Sequence, residues 1–564
     1  MSKYTLYTIM AVLQMFLCTA CYEDKGNYDY KDLPQVVFNE KYYPFVYIDD
    51  NGEEQTAPGY LTLRYGETLK IKPNYRLSKD ADIELKFTWI LRGDYDNPNQ
   101  EDIVLGHEET LVWKADEAMK GRLVLDIEDA TNGTHFLSNT PIEVTDPYAG
   151  LGLLVLSDKD GKKMLSFVTS PISDDEEDKE PFEEFINLYE EVNKEPLPNN
   201  VIKIHEHYRK EGNSSGAPTM QMVVCDDQLI DFSTSLFKEE IRSDQFFSTP
   251  IKNIRDVLFM QWLDLVVDDK GQVYQRRKTT DQLFHSQKFL SEPVKYNGEV
   301  LEGIKIIPGL FCGGGRGVAL LYDSKHGRYL TMSNQKFYNF QTDKDDSYVG
   351  KICEMVSESS SGWPKDFTPL SDMSDYDLIY TGSNNRTDDW GGWQCVSIIR
   401  EKATGTYYWQ KFEVTHGYNN PDIYVTNMEQ GVLPDALSSI ITADTKFALP
   451  DMFVTFSGKS HPYLFAACGN DLYLYDLEDM AGGVSRALTF DSPIAAICCD
   501  RYSGSFITVG LEDGSLYTLR TNGAKNHWSW AEKSWLVRNY IAPGKLGKIQ
   551  GIYYKSDGDI VNLD

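Results

Sequence analysis

Short runs of alternating apolar and polar residues, broken by turn residues, dominate this chain. Between residues 35 and 146 they include Gly59-Tyr-Leu-Thr-Leu-Arg, Leu69-Lys-Ile-Lys-Pro, Leu85-Lys-Phe-Thr-Trp-Ile-Leu, Thr110-Leu-Val-Trp and Arg122-Leu-Val-Leu-Asp-Ile. Successive side chains of a strand point to opposite faces, so a period of two sets one face of each run against a core. Strands at this spacing, with no helical stretch among them, predict a β-sandwich. Trp89, inside the third run, is its expected core tryptophan.

Pro147 and Gly150, in Thr145-Asp-Pro-Tyr-Ala-Gly, end that rhythm. Beyond them an apolar strand, a polar turn and a second strand, often with Tyr, recur eight times, starting near Gly152, Met222, Asp264, Val318, Ser397, Tyr463, Phe506 and Gly551. Each copy reads as the inner hairpin of a β-propeller blade. Eight copies fit a seven-bladed ring in which the last strands complete the blade begun near residue 152. Residues 171–219 and 415–450 are the expected homes of length in excess of the common ~40–50-residue repeat. The expected fold is all-β: a sandwich over 35–146 and a propeller over 150–564, seven-bladed by this count, with six or eight blades as the alternatives.

Aromatic content of 13% and hydrophobic content of 41% fit a well-packed chain. The formal charge of −31 argues against nucleic acid as a partner, because phosphate contacts need clustered Lys and Arg. Of nine cysteines, Cys225, Cys312, Cys353, Cys395, Cys468, Cys498 and Cys499 lie beyond the first 25 residues, irregularly spaced and without a Cys-x-x-Cys. Neither a disulfide framework nor a zinc site is expected from them.

At the start of the chain, Lys3 precedes an uncharged, mostly apolar run from Leu6 to Leu17, too short to span a bilayer but suited to a signal h-region. Thr19 and Ala20 lead into Cys21, which resembles the acylation site of a bacterial lipoprotein; Cys18, preceded by bulky Leu17, does not. The resemblance implies a signal over 1–20, a lipid on Cys21 and a tether over 21–34. Acyl chains then hold the protein to a membrane, at ~0.8 kcal/mol per buried CH₂. Tyr22-Glu-Asp-Lys behind the cysteine resembles the export tag of Bacteroidetes surface lipoproteins. Continued as Gly26-Asn-Tyr-Asp-Tyr and followed by the sandwich, this start is similar to the PKD-like lipoprotein family of Bacteroidetes. That resemblance implies an outer-membrane, surface-exposed protein that accompanies SusC/SusD-type importers.

Few motifs point to chemistry. Residues 174–191 hold ten acids against Lys179 alone, the pattern of a solvated, mobile insertion loop. Asp49-Asp-Asn-Gly and Asp158-Lys-Asp-Gly read as turns. Phe311-Cys-Gly-Gly-Gly-Arg-Gly lacks the Lys-Ser/Thr ending of a phosphate cradle, and a strand follows it, but Arg316 offers a fork for a carboxylate. His205-Glu-His lacks the i, i+4 spacing of a helical zinc site. Trp390 and Trp393, beside paired glycines, and Trp528 and Trp530 offer aromatic faces to a sugar ring or an apolar peptide side chain; packing between blades is the alternative.

These observations predict a subunit that binds oligosaccharide or oligopeptide through Trp390, Trp393, Arg316, Trp528 and Trp530, with no catalytic residue, metal or cofactor. A propeller enzyme acting on the same nutrient (glycosidase, lyase or peptidase) and a structural docking subunit are the alternatives.

Overall fold

The computed structural model describes residues 33–39, 43–49, 51–80, 83–93, 101–116, 119–148, 150–169, 183–207, 220–279, 285–307, 317–339, 344–386, 393–416, 422–450, 463–477, 479, 484–499, 506–521 and 537–555. The chain divides into two compact units, Met1–Thr145 and Asp146–Asp564.

The first unit is a β-sandwich. One sheet runs Leu61–Arg64, Thr134–Thr145, Met119–Asp129, Leu85–Gly93, Ile103–Gly106, and the other Glu54–Thr56, Phe45–Ile48, Thr68–Pro73, Leu111–Lys114. The alternation seen in the sequence is real: Leu61, Leu63, Leu69 and Ile71 point inward while their neighbours Thr62, Arg64 and Lys70 are exposed. Trp89 is fully buried against Phe45, ring centroids 5.3 Å apart. Its indole N–H donates to the Glu108 carbonyl at 2.9 Å, which satisfies the one polar atom this side chain takes into the core.

The second unit is a β-propeller with seven blades among the described residues. The innermost strands of the first four blades approach one another in turn, as do those of the sixth, seventh and first, while the fourth and fifth join through a parallel pairing of Ile352–Ser357 with Ile423–Val432. The ring closes within the first blade, where Lys548–Lys555 from the chain's far end is the innermost strand, beside Gly152–Lys159, Lys162–Thr169 and Glu184–Phe185. The next blades follow in order. The second is Val201–His207, Met220–Cys225, Leu229–Ser233, Glu239–Arg242; the third is Ile254–Phe259, Leu263–Asp268, Val273–Arg277. The outer edge of the third is lined by Leu290 and Val294, which donate to Gln275 and Val273. The fourth is Ile304–Ile307, Val318–Asp323, Arg328–Ser333, Ile352–Ser357, and the fifth Tyr376–Arg386, Trp393–Glu401, Tyr407–His416, Ile423–Val432. Lys446–Ala448, Tyr463–Cys468, Asp471–Asp476, Val484–Thr489 make the sixth; Ile494–Cys499, Phe506–Leu511, Leu516–Arg520, Val537–Ile541 make the seventh.

Several sequence expectations need correction. The recurring hairpins are the middle two strands of each blade, not the inner pair; in the first, Asp160 and Gly161, both at positive φ, form the two-residue turn that suits strand twist. The acidic run is not loop throughout: Glu184–Phe185 is the first blade's outermost strand, and the helix Leu188–Asn193 buries Leu188 and Tyr189. Two apolar side chains set among acids anchor the segment, because their burial outweighs the ordering cost of the solvated carboxylates. Nor are 183–207 and 422–450 surplus, since both supply regular blade strands. Residues 174–182 lie outside the described residues.

Candidate functional site

Antiparallel alternation sends the first and third strands of every blade to one face of the ring, here the upper face. His207 ends the innermost strand of the second blade there, and its Cα pairs in parallel with Phe259, which ends the innermost strand of the third. The two blades thereby join into one continuous sheet.

Strand register decides what else meets at this seam. Asp231 lies opposite Met222, which lies opposite His205, so Asp231 and His207 share the side of the second blade that faces the third. On the third blade Asp264 sits opposite Arg276, and Lys278, two residues on, falls on the same side. His285 completes the group, stacked on Phe246 at 4.7 Å.

All six polar side chains are sealed in; the most exposed, His285, shows 10% of its side-chain surface. Arg276 holds Asp264 Oδ2 through Nε and Nη2, at 2.7 and 2.6 Å, with its guanidinium against the rings of Phe246 and Phe289. Its Nη1 donates to His285 Nδ1 at 2.7 Å. Lys278 Nζ points its protons at the Met260 carbonyl (2.8 Å), Asp264 Oδ1 (3.2 Å) and His207 Nε2 (3.4 Å). Asp231 Oδ2 receives both imidazoles, His207 Nδ1 at 2.8 Å and His285 Nε2 at 2.6 Å. Asp231 Oδ1 is buried and has no hydrogen-bond partner among the described residues.

The electrostatics follow from burial. Desolvation, reinforced by Arg276 and Lys278, pushes His285 down to about 2. His207 falls well below the usual imidazole range for the same reason, with Lys278, His285, Arg276 and His205 adding to it. Burial raises the Asp231 carboxyl well above the carboxylate range against the pull of Arg276 and Lys278, and lowers Lys278 against the pull of Asp264.

His207, Asp231 and His285 present ligand atoms within 4.8 Å of one another, the outline of a metal centre. The donor set does not fit one. Ligands ~2.0–2.1 Å from a tetrahedral zinc stand ~3.3 Å apart, whereas the contacts here are hydrogen bonds of 2.6 and 2.8 Å. A metal-bound neutral imidazole carries its proton on the other nitrogen. In His285 that nitrogen faces a guanidinium N–H, which can only donate. Two buried cations beside the group also repel a third. The arrangement is a hydrogen-bond network that joins two blades.

None of this network was among the expected site residues, and His205-Glu-His was set aside for its spacing. The legible signals were acids and bases inside apolar strands, Asp231 in Leu-Ile-Asp-Phe and Asp264 in Leu-Asp-Leu-Val-Val. Of the expected ligand contacts, Trp393 begins its strand at the upper face but is 7% exposed and packs with Phe412 and Val414 in the core. Cys21, Arg316, Trp390, Trp528 and Trp530 lie outside the described residues. The strands on either side of Arg316, Trp390 and the Trp528/Trp530 pair are described, and each pair ends at the upper face: Ile304–Ile307 with Val318–Asp323, Tyr376–Arg386 with Trp393–Glu401, and Leu516–Arg520 with Val537–Ile541.

Fold and site together define a two-unit all-β protein, a sandwich and a closed seven-bladed propeller. Residues 21–200 match the model of the PKD-like family. No curated protein matches the sequence. Among solved structures, a quinonprotein alcohol dehydrogenase-like protein from Bacteroides thetaiotaomicron is similar at 12% identity and a TM-score of 0.35, over 88% of this chain and 96% of that one. A DUF4784 family protein from Bacteroides caccae aligns at 11% identity and 0.27, over 88% and 97%. Apo AztD from Citrobacter koseri aligns at 10% and 0.33, over 84% and 98%. With TM-scores this low, the fold assignment rests on the strand pairing of this chain itself.

Proposed function

We propose that this chain is a surface-exposed outer-membrane lipoprotein, anchored through Cys21, that serves as a nutrient-binding accessory subunit of a SusC/SusD-type importer. The observation that carries the reading is the convergence of the strands flanking Arg316, Trp390, Trp528 and Trp530 on one face of a closed ring. Aromatic and guanidinium groups suit capture of oligosaccharide or oligopeptide by stacking and forked hydrogen bonds. The titratable network between the second and third blades is sealed and its hydrogen bonds are directed inward, so it serves the scaffold and not bond chemistry. The Cys21-Tyr-Glu-Asp start supplies the address.

The test is affinity purification of tagged protein from native outer membranes, with mass spectrometry of what co-purifies. Stoichiometric recovery of a SusC/SusD-like pair, lost in a Cys21→Ala variant, supports the subunit role. Recovery of the protein alone from intact membranes overturns it.

A further inference from the structure

Hydrogens can be placed in the network from the chemistry of its donors. A guanidinium has no acceptor site, so the Arg276 contact fixes His285 Nδ1 as a lone pair and leaves its single hydrogen on Nε2, aimed at Asp231. His207 stands to Lys278 as His285 stands to Arg276: Nε2 faces the ammonium and Nδ1 donates to the same carboxylate oxygen. Both imidazoles are therefore neutral donors, and both bridge blades. His207 reaches Lys278 of the third blade, while His285, beyond the third blade's strands, reaches Asp231 of the second.

We infer that His207 and His285 form an acid-labile clamp between the second and third blades, released when either imidazole takes a second proton. Such a proton lands on a nitrogen already facing an N–H of Arg276 or Lys278, so a hydrogen bond becomes a contact between two donors and two cations. The titratable and charged groups around the pair are Asp231 and His205 from the second blade and Asp264, Arg276 and Lys278 from the third, with the exposed Glu240 acting at longer range on Asp231. Asp231 and Asp264 already balance Arg276 and Lys278 in charge, so a protonated imidazole leaves the buried group with a net positive charge. The walls are the rings of Phe246 and Phe259, which offer the imidazolium N–H groups no hydrogen-bond acceptor. Release frees the upper-face end of the seam, where the parallel pair His207 and Phe259 joins the innermost strands.

In the unfolded chain an imidazole takes its proton near pH ~6.5. In the folded chain the burial described above holds both imidazoles far below that, so the folded state binds fewer protons and loses stability as pH falls through that value. Asp231, raised by burial, contributes the opposite slope, and a comparison that keeps Asp231 cancels it.

The experiment compares the full chain with the double variant His207→Asn, His285→Gln, whose amides keep an N–H toward Asp231 but do not titrate. Between about pH 7.5 and about pH 5.5, the wild-type folding equilibrium from urea denaturation falls about tenfold more per imidazole, about a hundredfold in all, than that of the variant. Hydrogen exchange of the wild type alone, normalised for intrinsic rates, is the second readout. At the lower pH, protection drops further in Met220–Cys225, Leu229–Ser233 and Val273–Arg277 than in Tyr463–Cys468 and Asp471–Asp476, whose loss is limited to the global change. Parallel pH profiles for the two proteins, or equal loss of protection in both sets of strands, overturn the clamp.

Discussion

Val155 and Ile552 lie opposite each other in one antiparallel ladder, and through that pair the two ends of the propeller chain become a single blade. Both side chains are buried in the same cluster, with Leu153, Val168 and Leu546. The innermost strand of that blade is thus contributed by Lys548–Lys555, and the ring closes through its pairing with Gly152–Lys159.

Ile552→Ala removes buried methylenes from this joint. The expected loss is roughly 2–5 kcal/mol, the range for deleting a core isoleucine side chain. Urea denaturation followed by tryptophan fluorescence checks it; a loss below about 1 kcal/mol would show that the ladder holds without its side chains.

Arg276→Met leaves Asp264 buried without its main partner, and breaking such a pair costs roughly 3–5 kcal/mol. Arg276→Met combined with Asp264→Leu removes both charges and is expected to recover a large part of that loss. A double-mutant cycle by chemical denaturation measures the coupling, and strict additivity of the single losses contradicts the geometry.

The contrast is Arg92 with Asp102, a bidentate pair in the sandwich whose side chains are about half exposed. Arg92 lowers the Asp102 carboxyl, but solvent screens the pair. Asp102→Asn is expected to change stability by less than about 1 kcal/mol, and a thermal melt of the variant decides it.

Cys225 lies in the fully buried strand Met220–Cys225, and burial, with Asp227 and Asp226 adding, pushes its thiol up to about 12. The thiolate is the reactive form, so alkylation of the native protein at mildly alkaline pH is expected to spare Cys225 and to label the partly exposed Cys468 and Cys498 ahead of it. Peptide mass mapping with and without denaturant reads the difference directly.

Much of the fold was legible because the relevant signal is local. The hairpin at Gly152 is specified by alternation on both sides of a two-residue turn, and the same reading located the middle strands of every later blade. The repeat at Gly551 pointed to closure because it supplied a strand left over after seven hairpins. The acidic stretch was misread as loop because charge was weighed and the two buried side chains of Leu188 and Tyr189 were not. Trp393 looked like a loop aromatic beside glycines, yet it begins a strand whose first side chain turns into the core.

The network at the seam was legible only as single acids, Asp231 and Asp264, set inside apolar strands, and not as a network. His207, Asp231, Asp264, Arg276, Lys278 and His285 come from two blades, and no period in the sequence links them. Alternation tells which side of a strand a residue takes, because successive side chains must point to opposite faces. It cannot tell which side chain of the next blade will stand opposite, since that depends on strand register and on the angle at which two sheets pack. Sequence alone therefore determined the repeating hairpins and their turns and pointed to the closed ring. The tertiary packing decided that a buried carboxylate would receive two imidazoles, each held neutral by a cation behind it.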